Sequence, residues 1–177
     1  MDDERANPGA STLPRRTWAL GVLACLCLAV LGVSGVVLML FVGPQRVAAD
    51  VIDLHQASSL GVVHDLHRWA ADALVVVTWL HLLRVVLHGA HRPPRRRNWT
   101  LGVGLLVLTM GLATSGVMLA GGSIRGSAGG LPPAAAQPLY VLHGVILPLA
   151  MGLLTWFHLR WARRDGGLPA ATAVDAD

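Results

Sequence analysis

The chain contains no lysine; its 14 basic side chains are all arginine. Charged residues of both signs make up only 14% of its 177 residues, well below the roughly 25% of ordinary soluble domains. Hydrophobic residues make up 54%, and the mean hydropathy is +0.56. So few charges cannot clothe a water-facing surface, which excludes the soluble class. Cysteine is nearly absent as well. Cys25 and Cys27 form no CxxC or CxxCH motif and read as buried small hydrophobes, which excludes a disulfide framework and a cysteine-attached cofactor. No aromatic residues interleave with the arginines to build a basic groove, so nucleic acid is not an expected partner. The segment VLAC at 22–25 makes a poor lipoprotein cleavage site. The apolar run before it is short and the run after it continues to Val42, as in an uncleaved first helix.

Four long apolar stretches are present, at about 18–42, 69–87, 100–120 and 139–160. Each can supply the ~20 apolar residues a helix needs to cross the ~30 Å hydrocarbon core. Because lipid offers the backbone no hydrogen bonds, these stretches are expected to be helices, at about 18–42, 66–88, 99–120 and 139–161. The expected fold is an all-α four-helix transmembrane bundle over 17–164, between disordered tails at 1–16 and 165–177. GPQRVAADVIDLHQASSLGVV at 43–63 has a middle that could lie on the outer surface as an amphipathic helix.

Arginine sets the orientation. Arg15 and Arg16 precede the first helix, Arg92, Arg95, Arg96 and Arg97 crowd the second loop, and Arg160, Arg163 and Arg164 close the fourth helix. The opposite side has Arg46, Arg68 and Arg125. By the positive-inside rule both termini and the second loop are cytoplasmic, in a multi-pass protein of a bacterial cytoplasmic membrane.

Histidines stand inside these apolar helices, where polar groups are costly. The second helix carries His67 and His81, fourteen residues apart, and the fourth carries His143 and His158, fifteen apart. Fourteen residues fall about 40° short of four turns and fifteen overshoot by about 60°, and either interval covers ~21–22 Å. Each helix therefore presents two imidazoles on roughly one face. Both helices run from outside to inside, so His67 meets His143 at an outer level and His81 meets His158 at an inner one. Two facing imidazoles suit one metal centre with two axial ligands, and haem is the natural candidate. A zinc or copper site would want three or four ligands at one level. Glycines repeat the interval: Gly21 and Gly35 on the first helix and Gly102 and Gly116 on the third are each fourteen apart. Gly35 and Gly116 fall at the outer level, Gly21 and Gly102 at the inner one. They would give a haem edge clearance, the alternative being ordinary small-residue helix packing.

These residues carry a resemblance. The text HRWAADALVVVTWLHLLRVVLHGAHRPPRRRNWTLGVGLLVLT, together with LYVLHGVILPLAMGLLTWFHLRWARRDG, resembles the N-terminal four-helix dihaem domain of cytochrome b. The cytochrome b6 form, which shares the fifteen-residue interval, is the nearest, here as a stand-alone bacterial version. GVLACLCLAVLGVSGVVLMLFVGP matches the first helix more loosely, and the likeness covers about 17–165. It implies two non-covalent b haems between the second and fourth helices, with His67 and His143 on the outer, low-potential iron. His81 and His158 would hold the inner, high-potential one. Arg84 matches an arginine that pairs with an inner-haem propionate, by bidentate guanidinium–carboxylate contact. Arg68 would serve the outer propionates or pair with Asp72 one turn on.

The sequence also departs from the family. His64 replaces the usual arginine three before the first ligand. Ala19 stands where the b6 form has the cysteine of its extra covalent haem. MLAGGSIRG replaces a proline–tryptophan motif after the third helix, and the following loop is too short for the outer quinol-site helices. No segment with the family's proline–glutamate motif follows. The resemblance thus implies an electron-transfer subunit linking quinone or quinol to a partner redox protein of a respiratory chain, rather than a complete quinol-oxidising cycle. The partner would be an extracytoplasmic iron–sulfur, molybdenum or c-type subunit, and homodimerisation is a further implication. A self-contained transmembrane quinone oxidoreductase and a haem-independent anchor or transporter are the competing readings.

Overall fold

The computed structural model describes residues 15–41, 58–89, 96–120 and 133–164. They form α1 (Arg15–Phe41), α2 (Ser58–Leu87), α3 (Arg96–Leu119), α4 (Pro133–Val141), a π-helical turn (Leu142–Ile146) and α5 (Leu147–Arg164). Together α4, the π-turn and α5 make one continuous fourth span. All four spans are long and apolar enough to cross a bilayer, with window hydropathies of 2.7, 1.8, 1.9 and 1.7. The surface is inverted relative to a protein in water. On α1, Val33 is 70% exposed while its neighbour Ser34 is 4% exposed. Apolar residues outside and hydroxyls inside fit lipid surroundings, so the chain is a multi-pass membrane protein of the expected fold.

The helices extend beyond the expected bounds. The second begins at Ser58, eight residues before the expected 66, so the end of the 43–63 stretch is helix continuous with the span. The apolar count finds only the part within lipid, and helical backbone carries on past it. The fourth begins at Pro133, a residue suited to a first helical turn because its missing N–H would lack an intrahelical acceptor there. The inner end of α2 stops at Gly89, whose φ of +72° is the left-handed conformation that glycine adopts without a Cβ clash. Both expected tails and most of the 43–63 stretch lie outside the described residues, as do Arg46, Arg92, Arg95 and Arg125.

Packing divides the bundle into halves. α1 lies along α2, α3 lies along α5, and α2 touches α3 less extensively, while α2 and α5 barely approach each other. At the end carrying Met39 and Tyr140, termed outer here, the Tyr140 hydroxyl donates to the Met39 carbonyl at 3.2 Å and ties the fourth span to the first. The end carrying Arg84 and Arg164 is termed inner.

Between α2 and α5 the interior is lined in register. Ala70, Leu74 and Val77 are buried on the same face of α2 as His67 and His81, with Leu74 seven residues from each histidine. Met151 takes the matching place on α5 and is 4% exposed.

The π-turn resolves the unequal intervals. At its end the Leu147 N–H donates to the Leu142 carbonyl five residues back, which accommodates one extra residue. Fifteen residues with one such insertion have the phase of fourteen without it, so His143 and His158 share a face as closely as His67 and His81. Pro148 supplies a cause. It cannot donate to the Gly144 carbonyl, and its ring crowds that carbonyl unless the turn before it widens.

Candidate cofactor site

The four histidines and four glycines meet one to one. A Cβ built on Gly35 would stand 3.3 Å from His67 Cε1, and one on Gly116 would stand 3.0 Å from His143 Cε1. At the inner level a Cβ on Gly21 would lie 3.5 Å from His81 Cε1, and one on Gly102 would lie 3.5 Å from His158 Cε1. Glycines of α1 thus face histidines of α2, and glycines of α3 face histidines of the fourth span, at both levels. At Gly35 and Gly116 a Cβ would crowd the imidazole edge, whereas at Gly21 and Gly102 it would make an ordinary contact.

At the outer level the His67 and His143 ring centroids are 6.4 Å apart, with planes inclined by 71°. Two imidazoles on opposite sides of one metal, at typical bonds of ~2.0–2.1 Å, would hold their centroids about 6.3 Å apart. A direct edge-to-face ring contact covers the same range. Hydrogen bonds orient both rings. His67 Nδ1 lies 2.9 Å from Ser34 Oγ, and His143 Nδ1 lies 2.9 Å from Ser115 Oγ. With Nδ1 engaged by the neighbouring helix, Nε2 on each ring is left directed away from the serine. His81 and His158 are within electrostatic reach of each other at the inner level. Among the described residues no three histidines, cysteines or carboxylates gather into a metal-binding group. The donor set is two nitrogens per level, which fits a planar metal macrocycle held axially and does not fit a tetrahedral zinc site.

The sequence-predicted arginines are placed less tightly. Arg84 sits in the last turn of α2, at the inner level, three residues after His81. Its carbonyl lies 2.7 Å from His88 Nδ1. Arg68 is exposed on α2, and no Arg68–Asp72 ion pair forms among the described residues. The recorded contact nearby is His64 Nδ1 to Asp65 Oδ1 at 3.8 Å. The expected pairing of Arg68 with Asp72 is therefore replaced by separate side chains on the outer surface of α2. Ser34 and Ser115 are the site residues that sequence reasoning missed. Their signal was a serine immediately before the glycine of each outer pair.

Comparison with known proteins gives the family and the fold. A model of the family described as cytochrome b/b6/petB matches residues 7–127. Cytochrome b6 of Heliobacterium mobile is 32% identical over 75% of this chain and 75% of its own length. Cytochrome b6 of Heliobacterium modesticaldum is 33% identical over 58% of this chain, and the chain spans about half of that relative, 49%. A menaquinol:cytochrome c reductase cytochrome b subunit from Geobacillus thermodenitrificans is 40% identical over 33% of this chain and 26% of its own length. In fold, a chain of a hyperthermophilic respiratory Complex III superposes with a TM-score of 0.75 at 18% identity, covering 91% of this chain and 50% of that one. With the family model matched over more than half of its length, the chain belongs to the cytochrome b/b6 family.

Proposed function

We propose that the chain is a dihaem b-type cytochrome subunit that carries electrons across a membrane between quinone or quinol and a partner redox protein. The observation that carries this reading is the matched set of two imidazole pairs, each imidazole seated on its own glycine, one pair per level. Bound there, each haem would supply a one-electron ferric/ferrous couple.

The remaining work belongs to the chain's own residues. His67 with His143, and His81 with His158, would hold the irons through Nε2. The two levels are separated by ~21 Å along the helices, near opposite faces of the hydrocarbon. Leu74 and Met151 fill the interval and keep water from it. Arg84 can bind a propionate carboxylate bidentately at the inner level, and Arg68 is positioned on the outer half of α2. The concentration of arginine at the inner end, with Arg96, Arg97, Arg163 and Arg164, supports cytoplasmic termini in a bacterial membrane. Quinone then exchanges electrons at the inner level beside Arg84. An extracytoplasmic iron–sulfur, molybdenum or c-type subunit docks over the outer one. Names of relatives support the assignment, since the Geobacillus and Heliobacterium proteins are cytochrome b and b6 subunits.

The purified chain is expected to contain two haem b per polypeptide, both extracted by acidic acetone. A pyridine haemochrome assay against protein mass measures this. One haem per chain, or haem that stays with the protein, would overturn the pairing of the four histidines. No haem at all would favour the anchor or transporter reading.

A further inference from the structure

The two levels share their histidine–glycine geometry but differ in the residue before each glycine. At the outer level it is Ser34 before Gly35 and Ser115 before Gly116; at the inner level it is Leu20 before Gly21 and Leu101 before Gly102. Both serines are buried, at 4% and 5% exposure. Each lies 2.9 Å from Nδ1 of an outer histidine on the helix it packs against.

The direction of these hydrogen bonds follows from counting protons. A serine hydroxyl has one hydrogen and two acceptor positions. Ser34 Oγ gives its hydrogen to its own helix, to the Val30 carbonyl at 2.7 Å, and Ser115 Oγ gives its hydrogen to the Leu112 carbonyl at 3.1 Å. This backbone bonding is an ordinary habit of serine within helices. With the hydroxyl hydrogens so engaged, each oxygen accepts from the ring, the arrangement in which His67 Nδ1–H and His143 Nδ1–H donate. Both outer imidazoles are thereby held as the Nδ1–H tautomer, with the Nε2 lone pair available to a metal. Carbonyls four residues before the glycines also reach the rings, from Leu31 to His67 and from Leu112 to His143.

We propose that Ser34 and Ser115 are positioning residues that set the tautomer of the outer ligands and lower the potential of the outer haem. The inference rests on the dihaem reading. A second hydrogen-bond acceptor on Nδ1–H makes the imidazole more basic, and a more basic ligand stabilises ferric over ferrous iron. The outer iron is thereby poised by two residues that would not touch it.

The test is a redox titration, followed optically, of the wild-type chain, the Ser34→Ala/Ser115→Ala double variant and the Ser34→Thr/Ser115→Thr double variant. The outer haem is identified as the signal missing from a His143→Leu chain. In the alanine variant the outer midpoint is expected to rise by an amount equivalent to about a tenfold change in the reduced-to-oxidised ratio, or about 59 mV for one electron. The inner midpoint stays fixed, and threonine restores the wild-type value. If the alanine variant instead loses the outer haem, recovery with threonine supports the proposal and continued loss overturns it. An unchanged or lowered outer midpoint overturns it too. Failure of the dihaem reading itself would show earlier and separately, as a wild-type chain without two titrating haems.

Discussion

Membranes containing the His143→Leu chain are expected to hold one haem per polypeptide, against the two expected of the wild type. Leucine preserves bulk and apolarity, so the span still inserts, but it offers no lone pair opposite His67. The two outer rings, with centroids 6.4 Å apart, form a single two-ligand centre, and half of such a centre does not retain a non-covalent haem. The inner pair lies about four turns away and is spared. His158→Leu is expected to produce the complementary loss, retaining the outer haem. Function separates the two variants. The His158→Leu chain loses quinol-linked electron exchange while its outer haem remains reducible by the docked partner, and the His143→Leu chain does the reverse. Haem-to-protein ratio and quinol-driven absorbance changes measure these outcomes. Normal quinone exchange in the His158→Leu chain would move the quinone site to the outer level. Loss of both haems from either single variant would refute two independent pairs.

The glycines yield the second large effect, and its size is graded by distance. A Cβ on Gly116 would sit 3.0 Å from His143 Cε1, at the limit of what real contacts show, and one on Gly35 would sit 3.3 Å from His67 Cε1. At Gly21 and Gly102 the distances are 3.5 Å, an ordinary van der Waals contact. Alanine is therefore expected to disturb the outer haem most from position 116 and less from position 35. At 21 and 102 it leaves the inner haem nearly unchanged. Overpacking of a fitted interior costs roughly 1–3 kcal/mol, enough to weaken haem retention by about tenfold when it falls on a ligand. Leucine exceeds the space at all four sites, displacing the outer haem from 35 and 116 and the inner haem from 21 and 102. Haem content after detergent extraction gives the ranking. Equal behaviour of the four alanine variants, or intact spectra in all four leucine variants, would reduce these glycines to general packing residues.

Much of this arrangement was legible in the residues. Apolar length located all four spans, because a bilayer imposes a minimum that composition alone can meet. The common interval of fourteen on α1, α2 and α3 predicted which glycine stands at the level of which histidine. The rest depended on forces that spacing does not carry. The start of α2 at Ser58 was missed because a helix does not stop where the apolar run stops. The phase expected between His143 and His158 is reset by the π-turn before Pro148 to that of a fourteen-residue interval, because a local backbone clash overrides ideal helical phase. Arg68 and Asp72, one turn apart, had every sequence qualification for an ion pair and do not form one. Ser34 and Ser115 were invisible for a different reason, since small hydroxyls in apolar helices are common. Their importance arises only when a second helix brings an imidazole to them.

The division of the bundle into α1 with α2 and α3 with α5 has a consequence for assembly. Each half owns one imidazole at each level and its matching glycine, so neither half possesses a complete ligand pair. Because α2 and α5 barely meet, the strongest bonds between the halves would run through iron. Haem capture would then be the closing step of folding in the membrane. Two helical hairpins that meet along α2 and α3 would be drawn closer by binding energy released only in the united state. The cofactor concentration in the cell would set the fraction of chains that are assembled, independently of how many have been inserted.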